Sequence, residues 1–127
     1  MIRYAGFGRN AAAGLIGQYD GSGRMFGILL DNSFHIYFRN GATFDYVGDP
    51  TAARTVGVAG NKAYINGAPV TGTIGAWSGA AVSVVAIGRI DYGTIYYYPG
   101  QVVAAAIHGT ALSDAQMLAL YTAMEAL

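Results

Sequence analysis

The segment DYGTIYYYPG, residues 91–100, packs Tyr92, Tyr96, Tyr97 and Tyr98 into a few positions. Tyrosine rings give rigid, amphipathic contact area at low entropic cost, which suits recognition better than covalent chemistry. If this segment is a hairpin, alternation puts Tyr96 and Tyr98 on one face and Ile95 and Tyr97 on the other. One face is core and the other displays its rings. Tyr92, Tyr96 and Tyr98 are the candidate ligand contacts, with Asp91 placed to hydrogen-bond sugar hydroxyls. Trp77 in GAWSG, the only tryptophan, joins them as either a plug over the core or an exposed contact. A second row lies in SFHIYFR, where Phe34, Ile36 and Phe38 alternate with His35, Tyr37 and Arg39. The first set reads as core. The second is either an ordinary solvated face or a binding row, in which a ring stacks on a sugar while His35 and Arg39 supply hydrogen bonds.

Residues for bond-breaking chemistry are scarce. Glycoside hydrolysis needs two carboxylates flanking one bond. The only glutamate, Glu125, sits near the end of a helical segment, and the aspartates (Asp20, Asp31, Asp45, Asp49, Asp91, Asp114) fall mostly in turns or caps. There are two histidines, His35 and His108, no cysteine and no Gly-x-Ser-x-Gly elbow. The expectation is a protein that is not an enzyme. No thiolate metal site or disulfide framework can form.

The elements that would position these residues read as β. Short apolar or alternating runs recur between glycine-bearing turns, at the spacing of an all-β sandwich or barrel. Strands are expected near 2–7, 14–19, 24–30, 33–39, 43–47, 54–58, 62–65, 68–71, 82–90, 94–98 and 101–108. Asn66-Gly67 is the strongest hairpin signal. The one helical period runs over about 114–126, where Ser113 and Gln116 make a capping-box pattern. Asp114 stands in the first turn, and Met117, Leu120, Tyr121, Met124 and Leu127 make an apolar stripe. One domain, 1–127, is expected.

Composition narrows the partners. Seven basic and seven acidic residues cancel, so nothing electrostatic draws the chain to nucleic acid. No segment has the apolar length for membrane insertion, and MIRYAGFGRN lacks the layout of a Sec signal peptide. Charged residues make up only 11% of the chain, against about a quarter in ordinary domains, so its surface is either a neutral one rich in Gly, Ala and Tyr or one partly covered by partners, the reading favoured here.

YINGAPV (64–70), AIGRI (86–90), GQVVAAAI (100–107) and ALSDAQ (111–116) occur in an order and spacing that resembles the laminin-G-like, concanavalin A-like lectin superfamily. The likeness is loose over most of the chain and good over Lys62–Tyr121. Its character is that of domains in phage and prophage structural proteins. The resemblance implies a jelly-roll sandwich of two antiparallel sheets closed by a short C-terminal helix, and a virion or extracellular setting. It also implies calcium in many members, although DYVGD and the other acidic turns offer no convincing ligand set, so no cofactor is expected. Related glucanases carry Glu-x-Asp-x-x-Glu, which is absent, leaving glycoside hydrolase as the remote alternative. In the family register Val102, Ala105 and Ile107 point inward, while Val103, Ala104 and Ala106 face out or sit at a bulge. The family also has an extra strand before the segment matched by MIRYAGFG, so the first strand is expected beside an uncovered edge. The candidate assembly interface is therefore Val103, Ala104, Ala106, Ile2 and Tyr4.

Two functions from different classes follow. One is a structural, virion-associated or fibre-forming protein that assembles with its own copies or other virion proteins. The other is a glycan- or receptor-binding module of a phage tail fibre.

Overall fold

The computed structural model describes residues 1–6, 12–19, 25–31, 33, 35–40, 42–49, 52, 54–74, 85–91 and 95–127. The strands are β1 (Ile2–Ala5), β2 (Ala13–Tyr19), β3 (Met25–Leu30), β4 (His35–Asn40), β5 (Ala42–Val47), β6 (Thr55–Ala59), β7 (Lys62–Ile65), β8 (Ala68–Pro69), β9 (Ala86–Ile87), β10 (Arg89–Asp91), β11 (Ile95–Tyr97) and β12 (Gln101–Ala105). One helix, α1 (Asp114–Glu125), follows.

Two five-stranded antiparallel sheets form, in the orders β12-β1-β6-β7-β8 and β5-β4-β3-β2-β9. They meet through one core. Ile2, Tyr4 and Val56 come from the first sheet, and Leu15, Ile28, Ile36 and Phe38 from the second. Each such side chain contributes roughly 1.5–3 kcal/mol by leaving water. Ile36 and Phe38 are fully buried, as the alternation in SFHIYFR requires. The opposite face of the first sheet carries α1, through a smaller cluster of Met1, Tyr64, Met117 and Met124.

Local signals set the turns and the helix start. Asn66 and Gly67 both take positive φ, 49° and 79°, as a type I′ turn demands. Asn66 does more than turn the chain. Its Oδ1 accepts the backbone N–H groups of Arg54 and Thr55 at 3.0 and 3.1 Å, tying the hairpin to the start of β6. The Ser113 hydroxyl accepts the Gln116 N–H at 3.3 Å, and Gln116 Oε1 accepts the Ser113 N–H at 2.9 Å. The capping box is complete and α1 begins where the sequence placed it. Leu127 leaves the expected stripe and is exposed, because α1 ends at Glu125.

Two expectations are corrected. The strand expected over 82–90 is two strands in two sheets, with residues 82–84 outside the described ones. Gly88, at φ 73°, turns the chain between them. β9 pairs with β2, whereas β10 pairs with β11 in a separate hairpin. That hairpin lies on the outer face of the second sheet. Ile90 is fully buried there above Gly14, Gly17 and Gly27. A Cβ on Gly14 would stand 2.5 Å from the Ile90 nitrogen, so only glycine permits the approach.

Ile2 and Tyr4 are also misplaced as interface candidates. β1 is flanked on both sides, by β12 and β6, and the two side chains are core. β12 lies at one edge of this sheet and β8 at the other, because the chain returns to pair its last strand against its first.

Candidate functional site

The row on β4 is held together from within. The Asp31 carboxylate accepts the backbone N–H groups of Ser33 (2.8 Å) and His35 (3.0 Å) on Oδ1. The Tyr37 hydroxyl donates to its Oδ2 at 3.0 Å. His35 Nδ1 lies 2.9 Å from that hydroxyl and 3.4 Å from Asp31 Oδ2, and the two rings meet edge to face at 5.6 Å. Burial would raise the Asp31 carboxyl. The His35 and Ser33 N–H groups, the Tyr37 hydroxyl and the His35 ring outweigh it and hold the group below the usual carboxylate range. His35, Tyr37 and Arg39 are all half-buried. The sequence assigned Asp31 to a turn. That turn is real, but the register also delivers the carboxylate to the ring two strand positions on. Hydrogen bonds made this way fix the orientation of all three side chains.

The tyrosine cluster is partitioned differently from the expectation. Trp77 and Tyr92 lie outside the described residues, and of Asp91 only the backbone is described, opposite Ile95. Tyr96 sits half-buried opposite Ile90. Tyr98 is corrected from ligand contact to core. It is 8% exposed, meets the Tyr4 ring edge to face at 5.8 Å and donates its hydroxyl to the Ala5 carbonyl at 2.6 Å. Burial pushes its pKa up to about 12. The displayed ring is Tyr97, 63% exposed, with the Arg89 guanidinium 5.9 Å from its centroid. Alternation found the two faces. It could not say which was buried, since both are aromatic or apolar.

β12 carries the remaining candidates. Tyr4 pairs with Val102 and Arg3 with Ala104, so Val103 is the extra residue of a bulge. The bulge resets the faces. Val102 packs on the core between the sheets. Ala104 and Ala106 turn to the other face, against the cluster under α1. Their side chains thus form a seat for the protein's own helix. Small side chains are needed there because the helix sits close. Val103 remains 41% exposed, Ile107 is 60% exposed, and Ala105 is exposed between them. From Gln101 to Ile107 this sheet edge carries no charged residue and no proline.

One end of the sandwich holds a cavity of about 460 Å³. Ile16 and Phe26 wall it on one sheet, Val58 on the other, and Ile107, Met117 and Leu120 close it. Among the described residues that line it, the polar side chains are His108 and Thr110. Among the described residues no three His, Asp or Glu side chains cluster as metal ligands. No helix among them is long and apolar enough to cross a membrane. Comparison with known proteins returned no match, whether to a family model, to a curated protein or to a solved structure.

Proposed function

We propose that the chain is a non-enzymatic structural module, a concanavalin A-like jelly-roll sandwich that assembles with its own copies in a virion-surface or fibre setting. The observation that carries this reading is the β12 edge. Edge strands of monomers are guarded by charge, proline or cover, because an unguarded edge recruits another strand. Here a bulge at Val103 breaks the edge, but Val103, Ala105 and Ile107 stay exposed, and Gln101–Ile107 carries neither charge nor proline. The low overall charge fits a surface meant to be covered.

Light scattering tests it. The expected mass is a multiple of the 13.2 kDa chain. Ile107→Glu is expected to return a folded monomer, since the side chain is mostly exposed and its charge would be buried only in the assembly. A monomeric parent at concentrations of roughly 100 μM, well above typical structural-assembly affinities, would remove the reading.

A second reading, a glycan- or receptor-binding module, is favoured by Tyr97. Its ring is displayed beside Arg89, a pairing that suits stacking on a sugar with a hydrogen-bonding neighbour. Binding on a glycan array that Tyr97→Ala abolishes would support it, and a silent array would not.

A further inference from the structure

The two edges of the first sheet are unlike. β8 is two residues long and ends in Pro69, which has no N–H to offer. β12 is longer and its backbone polarity can be assigned. The Ala106 N–H donates to the Met1 carbonyl, and the Met1 amino group donates to the Ala106 carbonyl, both at 2.9 Å. Ala106 therefore turns both of its backbone groups toward β1. Ile2 faces Ala105 in the next position. In an antiparallel ladder the groups alternate, so Ala105 and Ile107 turn theirs away from the sheet.

We propose that this edge is filled by the same strand of a second copy, antiparallel, about a two-fold axis through the Ala106 position. Ala105 then faces Ile107 of the second copy, and Ile107 faces its Ala105. Each pair exchanges both backbone hydrogen bonds, and the first sheets of the two copies merge into one. The inference rests on the self-assembly reading and names its contact.

Three observations select this occupant. Outward N–H and C=O groups two residues apart are satisfied by a strand, and a helix or a small molecule would leave them unpaired. The self-pairing brings no like charges together, since Gln101–Ile107 has none and the chain is neutral overall. The register also buries Ile107, more exposed than Val103, against its counterpart's neighbours. The Val103 bulge interrupts regular pairing beyond Ala105, so the contact is short and closed rather than an open ladder.

The chain has no cysteine, which makes a register scan clean. Ala106→Cys, Ala105→Cys, Val103→Cys and Gln101→Cys would each be oxidised with copper phenanthroline and read on a non-reducing gel. Residues facing each other across the two-fold stand about 4.5 Å apart at Cα in a non-hydrogen-bonded pair, within disulfide reach. Ala106→Cys is expected to give the strongest covalent dimer and Gln101→Cys none. Since Ala106 is half-buried, the melting temperature of the reduced variant must match the parent for its gel to count; Ala105→Cys, exposed, is expected to cross-link more weakly and supplies the register if it does not. A maximum at Val103 or Gln101 overturns the register. An assembled parent with no cross-link at any of the four overturns the β12 contact while the assembly reading stands. A monomeric parent overturns both.

Discussion

Ile90 reaches full burial because Gly14, Gly17 and Gly27 leave no side chain beneath it. A Cβ on Gly14 would meet main-chain atoms, the Ile90 nitrogen at 2.5 Å and the Tyr96 carbonyl at 2.8 Å, so no rotamer change relieves it. Gly14→Ala is expected to cost about 2–3 kcal/mol in urea unfolding, the upper range for overpacking. Gly109→Ala, with nothing within 4 Å of the added carbon, should stay within about 0.5 kcal/mol. Equal losses at the two sites would mean that the hairpin does not press on the sheet. Asp31 supports a second prediction. Its folded pKa lies below the unfolded value, so its stabilising contribution is complete above the ordinary carboxylate pKa and is lost as pH falls through the folded one. Asp31→Asn should lower the melting temperature at neutral pH and flatten its decline below about pH 4. An unchanged acid limb would show that the Asp31 hydrogen bonds contribute nothing to folding.

At the scale of elements, α1 is fastened at both ends. At its start the Tyr64 hydroxyl donates to Asp114 at 2.6 Å, and Lys62 donates to the same carboxylate at 2.9 Å. At its end Arg3 donates to the Met124 carbonyl at 2.6 Å and pairs with Glu125 at 3.4 Å, while the buried Thr55 hydroxyl donates to Glu125 at 3.1 Å. A cation at the helix C-terminus also meets the negative end of its dipole. Arg3→Met keeps the stem and removes these bonds, and is expected to cost about 1–3 kcal/mol by chemical denaturation. Arg3→Met in a Glu125→Gln background should cost less, because part of the loss is the stranded carboxylate. Strict additivity would mean that the two side chains do not interact. The start of α1 was legible, since a capping box is a four-residue signal, and so was the Asn66-Gly67 turn. The anchors were not, because Arg3 and Glu125 are far apart in the chain and only the order of the sheet brings them together. The same holds for the tyrosines. Alternation separated Tyr97 from Tyr98, but Tyr98 was drawn inward by the Ala5 carbonyl and the Tyr4 ring, at the far end of the sequence. Along β12 the inward place of Val102 was legible, but Ala105 and, just beyond it, Ile107, both expected inward, are exposed. The position of β12 at the edge was not legible, because edge or centre depends on every other strand.

For the whole molecule, the consequence lies in what kind of force holds copies together. The sheets enclose an ordinary apolar core, and both charged residues of α1 are engaged with the first sheet. The exposed β12 segment offers backbone groups, aliphatic side chains and the Gln101 amide, and no charge. Association through it therefore depends on hydrogen bonds and apolar burial, neither of which salt screens. Between about 0.05 and 0.5 M sodium chloride, over which the screening length falls severalfold, the assembled mass measured by light scattering should not decrease. Sulfate, which strengthens apolar burial, should shift the monomer–oligomer balance toward assembly at a fixed low protein concentration. An assembly joined instead through Arg54, Arg89 or the acidic turns would behave the opposite way, loosening steadily with sodium chloride. Dissociation by salt, with the fold intact by circular dichroism, would move the contact away from β12 and onto the charged loops.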